Sequence, residues 1–135
     1  MRVGAVSPLL QEINAAFPKA NDDPFARLIL KDETPVGRIE VDEGVSGTLY
    51  LSSIRIEESY RRRGIGQEAL GFLSDLADRH GCKIWLKAFY HPRREGGGHL
   101  IGWYEQNGFE VMSEPDDDQH VEMRRLPRPE PSPEP

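Results

Sequence analysis

The sequence has only one cysteine, Cys82, among its 135 residues. A single cysteine excludes a disulfide within the chain and a cysteine-based zinc cluster, so we expect a reducing, cytoplasmic environment. Long apolar runs are missing as well, because no stretch approaches the roughly 20 apolar residues that a membrane-spanning helix needs. Residues 1–10 also lack the apolar segment of a secretory signal. We therefore predict a cytoplasmic protein with no membrane partner.

The sequence has fewer basic than acidic side chains, 17 against 23, and its formal net charge is −6. Proteins that bind nucleic acid usually present a wide positive surface, so this balance disfavours a nucleic-acid partner and mildly favours a cationic partner such as an amine. The charge is locally positive at residues 61–63, which are three consecutive arginines. One functional hypothesis is that this arginine cluster binds nucleic acid together with Trp85, Phe89 and Trp103. It is the least favoured of the three hypotheses that we consider.

The length of the chain suits a single domain with a core large enough to fold without disulfides or metal. We predict that domain over residues 1–126. The last residues, 127–135, are proline, glutamate, serine and one arginine, and no apolar side chain is able to anchor them. This composition is typical of disorder, so we exclude the tail at 127–135 from the predicted fold.

The first half of the domain has the pattern of one short helix followed by three strands. Ser7 and Pro8 form a helix start, with an N-cap followed by proline at the first helical position, and the helical pattern ends at Phe17. The short turns between the strands predict an antiparallel meander. The three β-rich runs are residues 25–31, 36–41 and 48–57.

The second half begins with a predicted helix from Ile65 to His80, which has one apolar stripe and stops before Gly81. A strand with alternating apolar residues follows, and this crossover predicts a parallel pair with the strand before the helix. Residues 91–98 hold three consecutive glycines, and we expect a loop there that acts as a mobile lid. The other predicted elements are the strand at 82–89, a helix at 100–107, strands at 109–113 and 120–126, and an acidic loop at 114–118.

The most informative segment runs from residue 54 to residue 67. It consists of a β-branched run and the pattern R-x-x-G-x-G, which opens directly into the predicted helix. Gly64 and Gly66 have no Cβ, so the main chain can turn tightly and approach a ligand closely. The helix presents free N–H groups and a partial positive charge at its first turn. This segment therefore predicts a site for a phosphate or a diphosphate.

A second segment, residues 103–109 with the sequence WYEQNGF, places Tyr104 on the last predicted helix. Together with the glycine motif and the order of elements, it resembles the GNAT superfamily, the acetyl-CoA-dependent N-acetyltransferases, over residues 25–126. The resemblance implies an α/β (α+β) fold with a mixed, mostly antiparallel central sheet, a splayed parallel strand pair and flanking helices. It also implies acetyl-CoA as the cosubstrate.

The resemblance further implies how the chain binds coenzyme A. The pantetheine arm is expected to pair with the main chain of Ile54 and Ile56, so that the Ile54 N–H faces the thioester carbonyl as an oxyanion donor. Main-chain N–H groups of the glycine turn are expected to hold the diphosphate, and arginine side chains supply charge. The implied cofactor residues of the turn are Arg61, Arg62, Arg63, Gly64, Ile65, Gly66 and Gln67, joined by Tyr104.

The resemblance also implies catalytic roles. Tyr104 corresponds to the tyrosine that many relatives use to protonate the departing thiolate, and a phenol is protonated at neutral pH. The general base is not evident, because Tyr50 and Lys87 stand where relatives carry an acidic residue. Glu40 on the neighbouring strand is the predicted base, and the alternatives are His99, His120 or an ordered water.

We therefore predict an enzyme that moves an acetyl group from acetyl-CoA to a primary amine by direct attack in a ternary complex. The alternative is a non-catalytic coenzyme A-binding or protein-interaction module with the same fold, motivated by Tyr50 and Lys87. The acceptor is a small molecule or a protein, and residues 114–118 would attract a cation. We expect a monomer or a homodimer. His91 and His99 have no third ligand at a defined spacing, so we predict no metal.

Overall fold

The computed structural model describes residues 7–45, 47–89 and 97–128. Residues 91–96 of the predicted mobile loop and residues 129–135 of the predicted tail lie outside the described residues. None of the described helices is long and apolar enough to cross a membrane. The elements are α1 (Pro8–Ala16), β1 (Arg27–Lys31), β2 (Thr34–Glu43), β3 (Thr48–Ile56), a short 3-10 helix (Glu58–Tyr60), α2 (Ile65–His80), β4 (Lys83–Phe89), α3 (Gly97–Gln106), β5 (Glu110–Val111) and β6 (His120–Arg125).

The strands form one six-stranded sheet in the order β1-β2-β3-β4-β6-β5. The first three strands pair antiparallel as a meander, and β6 pairs antiparallel with both β4 and β5. β3 and β4 run parallel, because α2 connects them as a crossover helix. The predicted mixed, mostly antiparallel sheet with one parallel pair is confirmed.

Several boundaries differ from the prediction, and those of β2, β5 and α3 are the clearest cases. The turn between β1 and β2 consists of Asp32 and Glu33, which both have positive φ (51° and 66°), so β2 begins earlier than predicted. β5 has 2 residues, because the Glu122 N–H donates to the Ser113 hydroxyl at 2.9 Å rather than to the main chain. α3 begins at Gly97, so the last residues of the segment that we predicted as a loop are helical.

The central helix α2 has the predicted bounds. The residues that flank it, Gly64 and Gly81, both adopt the left-handed conformation (φ 78° and 67°), which glycine reaches without a Cβ clash. α1 also agrees with the prediction, since the Ser7 hydroxyl accepts a hydrogen bond from the Leu10 N–H at 3.1 Å as an N-cap. The two helices meet where the rings of Phe17 and Phe72 pack edge to face, with centroids 5.6 Å apart.

The three helices lie on one face of the sheet, because one core contains their apolar residues together with those of the strands. Successive strand side chains point to opposite faces, so Tyr50, Trp85 and Lys87 point away from this core. We call that side the outer face, and no helix in the described ranges covers it. The buried strand residues on the helix face include Ile39, Val41, Leu49, Leu51, Ile84, Leu86, Ala88, Val121 and Met123.

A partly buried ion pair connects β6 to α2. The Arg125 guanidinium donates to both carboxylate oxygens of Asp78, at 2.7 and 3.0 Å, and this contact holds the pKa of Asp78 below its usual value. The main-chain N–H of Arg128 donates to the same carboxylate at 2.8 Å. The chain therefore follows α2 beyond the end of the last strand.

We expect Gly37→Ala to destabilise the fold. A Cβ at Gly37 would lie 2.5 Å from the Arg55 carbonyl oxygen, so β2 and β3 would have to separate near Ile56. Overpacking of this kind typically costs about 1–3 kcal/mol of unfolding free energy, which urea denaturation measures. Gly71→Ala on α2 is the matched control, because no atom lies within 4 Å of its added Cβ. An unchanged stability for Gly37→Ala would contradict this packing argument.

Candidate active site

The site begins with an opening between the two parallel strands. β3 and β4 pair only from Thr48 to Leu51 and from Lys83 to Leu86. Beyond this point β3 stays paired with β2 as far as Ile56, whereas β4 stays paired with β6 as far as Phe89. The two strands therefore diverge, and their facing edges carry main-chain groups that do not pair with each other.

The main chain of Ile54 and Ile56 faces this opening. The Glu57 N–H donates to the Val36 carbonyl at 2.9 Å, so Glu57 points its main-chain groups towards β2. Hydrogen-bonding direction alternates along a strand, so Ile54 and Ile56 point theirs away from β2 and into the opening. The Ile56 carbonyl agrees with this direction, because it accepts a bond from Arg61 Nε at 2.9 Å. Both side chains are half-buried against the core.

The basic turn lies at the end of β3, where it leads into α2. Arg61, Arg62 and Arg63 are all exposed, and Arg62 has a positive φ of 66°. The Arg63 guanidinium lies 5.6 Å from the centre of the Tyr60 ring, so Arg63 packs back on the turn. Because Gly64 is the N-cap and has no side chain, it leaves the first N–H groups of α2 uncapped.

The two glycines of the turn differ in what surrounds them. A Cβ at Gly64 would meet no atom within 4 Å, but the φ of 78° would strain any other residue there. Gly66 has no such strain, and its Cβ would lie 3.7 Å from Ile56 Cγ1, which is an ordinary contact. Ile65 between them is buried and anchors the turn to the core. The left-handed main chain therefore favours glycine at Gly64, whereas Gly66 leaves room for a methyl group.

Tyr104 lies on the helix face, near the end of α3. Only 6% of its surface is exposed, and its ring packs between Trp103 and Phe109 with centroid distances of 5.0 and 5.3 Å. Burial raises the pKa of Tyr104 to about 12, because the phenolate would lose its hydration. Gly108 ends the helix with a φ of 93°. The phenol therefore stays protonated over the whole neutral range.

A hydrogen-bonded cluster joins the start of α2 to the end of α3. Gln67 Oε1 accepts from Trp103 Nε1 at 2.9 Å, and Gln67 Nε2 donates to Asn107 Oδ1 at 2.5 Å. Sequence reasoning placed Gln67 among the cofactor residues and did not predict these contacts. The partners are far apart in the chain, and no local pattern signals a contact between an amide and an indole across two helices.

The outer face carries a cleft of about 870 Å³ beside the opening. Trp85 lines this cleft, and its Nε1 donates a hydrogen bond to Glu122 at 3.1 Å. Asp116 accepts from the His120 and Asp118 N–H groups at 2.9 Å each, and these bonds, His120 first, keep the pKa of Asp116 low. The lining residues are Val45, Thr48, Tyr50, Leu51, Ser52, Lys83, Trp85, Leu86, Lys87, Asp116, Asp118, His120 and Glu122.

Glu40 points to the outer face, since its neighbour Ile39 points into the core. It is half-buried and lies opposite Ser53 in the β2–β3 register, and it is not among the residues that line the cleft. Of the alternative bases, His120 lines the cleft, and the side chain of His99 lies outside the described residues. Within the described ranges, no group of three or more His, Cys, Asp or Glu residues is placed to hold a metal ion.

Comparisons with known proteins agree with this architecture. The model of the acetyltransferase (GNAT) family matches residues 6–109. The PaiA N-acetyltransferase from Thermoplasma acidophilum, solved with coenzyme A, is 20% identical with a TM-score of 0.58, covering 75% of this chain and 59% of that chain. Ard1 from Thermoplasma volcanium is 16% identical with a TM-score of 0.61, covering 93% and 84%. The ribosomal-protein-S18-alanine N-acetyltransferase from Escherichia coli is 18% identical with a TM-score of 0.60, covering 94% and 90%.

At these identities the solved structures establish a common fold. The chain spans only 59% of the length of the Thermoplasma acidophilum structure, and no curated protein matches the sequence at a significant level. The family model nevertheless covers most of the chain, from the start of α1 to the residue before β5. The chain therefore belongs to the acetyltransferase (GNAT) family.

Proposed function

We propose that this protein transfers the acetyl group of acetyl-CoA to a primary amine by direct attack within a ternary complex. The opening between β3 and β4 carries this proposal. It presents the main-chain groups of Ile54 and Ile56 to an extended ligand and ends at the uncapped start of α2. An extended pantetheine arm can pair with such an edge as an added strand, and a diphosphate fits the start of a helix.

In this arrangement the glycine turn holds the diphosphate through main-chain N–H groups from Arg62 to Gln67. The exposed arginines of the turn add positive charge at its mouth. Further along the pantetheine arm, the Ile54 N–H faces the thioester carbonyl. A main-chain donor at that position stabilises the oxyanion as the tetrahedral intermediate forms, which is usually the largest catalytic contribution in acyl transfer.

The chemical step balances without a covalent enzyme intermediate. The neutral amine attacks the thioester carbonyl carbon, the C–S bond breaks, and Tyr104 gives its phenolic proton to the departing thiolate. Glu40 takes the proton that the amine loses, directly or through a water. Cys82 is a poor nucleophile for a covalent route, because burial raises the pKa of its thiol.

The acceptor reaches the thioester from the outer cleft, which adjoins the opening at Ser52 and Leu86. The cleft combines an aromatic wall, Tyr50 and Trp85, with three carboxylates from Asp116, Asp118 and Glu122. A carboxylate rim attracts an ammonium group before deprotonation, and an aromatic wall can bind the carbon chain or the charge of the acceptor. The three carboxylates outnumber the two lysines that line the same cleft, Lys83 and Lys87, so a cationic acceptor fits the cleft best.

The direct test is an acceptor panel. We expect acetyl-CoA to raise the melting temperature of the protein and free thiol to appear above background with at least one class among polyamines, aminoglycosides, amino acids, peptide N-termini and lysine side chains. Coenzyme A without the acetyl group is the control for binding alone. Stabilisation by acetyl-CoA with no thiol release across the panel would instead establish the non-catalytic binding module.

We expect Tyr104→Phe to lower kcat by about 10² to 10⁴, the usual contribution of a general acid. Because burial raises the pKa of Tyr104 to about 12, the wild-type rate should not fall near pH 10, where a free phenol is half ionised. The neutral phenol also favours the folded state below pH 10, and this contribution is lost as pH rises towards 12. Circular dichroism at each pH separates the two effects. A wild-type rate that halves near pH 10 in folded protein would exclude this role.

We expect Gly66→Ala to weaken acetyl-CoA binding without weakening the fold. The added methyl group makes only an ordinary contact with Ile56, so the unfolding free energy should stay within about 0.5 kcal/mol of wild type. A ligand that approaches the main chain of the turn would meet this methyl group, so the dissociation constant measured by calorimetry should rise at least tenfold. Gly102→Ala on α3 is the matched control, because no atom lies within 4 Å of its added Cβ. Unchanged binding by Gly66→Ala would place the diphosphate elsewhere.

A further inference from the structure

We propose that Gln67, Trp103 and Asn107 form an amide bridge that positions Tyr104 against the cofactor turn. Gln67 is a positioning residue in this view, and its side chain does not hold the diphosphate. The inference rests on the proposed function of Tyr104 as the proton donor. It concerns the side chain of Gln67, whereas the cofactor role proposed above concerns its main-chain N–H.

Three hydrogen bonds hold the side chain of Gln67 against α3. Its Oε1 accepts from Trp103 Nε1 at 2.9 Å and from Asn107 Nδ2 at 3.3 Å, and its Nε2 donates to Asn107 Oδ1 at 2.5 Å. Turning this amide towards a phosphate would break all three contacts. Gln67 also directly follows Gly66 in the first turn of α2, so the bridge begins on the segment that the proposed cofactor contacts.

The other end of the bridge contacts both the ring and the main chain of Tyr104. The ring of Trp103 lies against that of Tyr104 with centroids 5.0 Å apart, and the Asn107 main-chain N–H donates to the Tyr104 carbonyl at 2.9 Å. Asn107 Nδ2 also donates to the Trp103 carbonyl at 2.8 Å, which closes the end of α3 around the bridge. Both residues that hold Gln67 therefore also fix the helical turn that carries the phenol.

This arrangement couples two parts of the site that lie on different helices. A diphosphate bound at the start of α2 would fix Gln67, and Gln67 would in turn fix the end of α3. Loss of the bridge leaves the main-chain donors of the turn in place but lets Tyr104 move relative to the thioester. A displacement of about 1 Å can cost up to roughly 10²-fold in rate, so turnover should respond more strongly than binding.

The test compares Gln67→Ala and Trp103→Phe with Gln106→Ala, a matched control because Gln106 is an exposed glutamine at the end of the same helix. Trp103→Phe removes the indole N–H and keeps an aromatic ring against Tyr104. With an acceptor from the panel, we expect kcat to fall by about 5- to 100-fold for Gln67→Ala, with the KM for acetyl-CoA within about twofold of wild type. Gln106→Ala should match wild type in both.

A second comparison separates positioning from general support of the fold. In a Tyr104→Phe background, Gln67→Ala should cause no further loss of kcat, because the group that it positions is already absent. An equal loss in both backgrounds would overturn the proposal, and so would a rise in KM alone, which would assign the Gln67 side chain to the phosphate. If Gln67→Ala turned over as fast as Gln106→Ala and the wild-type protein, the bridge proposal would be overturned and the proposed function would stand.

Hydrogen exchange provides a readout that does not depend on turnover. We expect coenzyme A to slow amide exchange in α3 of the wild-type protein and of Gln106→Ala, but not of Gln67→Ala. Equal protection of α3 in all three proteins would contradict the coupling even if the enzyme were inactive. If coenzyme A bound none of them, the proposed function would fail, and the bridge would fail with it.

Discussion

The site depends on the point where two parallel strands stop pairing. β3 and β4 are held together from Thr48 to Leu51, and beyond that point each strand follows its other neighbour. A sheet that stayed paired would bury these edges in its own hydrogen bonds and offer nothing to a ligand. Because the strands separate while both remain in the sheet, main-chain donors are presented on a rigid support, which suits recognition of an extended arm and an oxyanion.

The helices and the outer face of the sheet place the other groups of the site around this opening. The helices occupy one face, where α2 supplies the glycine turn and α3 supplies the buried phenol of Tyr104. The outer face carries the carboxylate-rimmed cleft, so the proposed cofactor and acceptor approach from different sides. This separation suits direct transfer, because both substrates can be bound at once. The amide bridge of Gln67, Trp103 and Asn107 connects the start of α2 to the end of α3, and we propose that it links cofactor binding to proton donation on the helix face.

Local signals predicted the elements well. The bounds of α2 followed from its apolar stripe and from Gly64 and Gly81, and the meander followed from short turns between β-rich runs. The prediction was less accurate where one interaction decided a boundary. β5 is short because of the Ser113 hydroxyl, and β2 starts early because Asp32 and Glu33 both adopt positive φ, which is uncommon outside glycine. The bridge could not be predicted at all, because its residues share no local pattern.

By itself, the sequence determined which segments become helices and strands, and where a glycine turn meets a helix start. These are local properties, set by side-chain periodicity and by the freedom of glycine. Only the tertiary structure decided that β3 and β4 separate after Leu51, that Gln67 is bound by α3, and that Glu40 does not line the outer cleft. Such features depend on contacts between residues distant in the chain, and the packing of the whole sheet against its helices selects them.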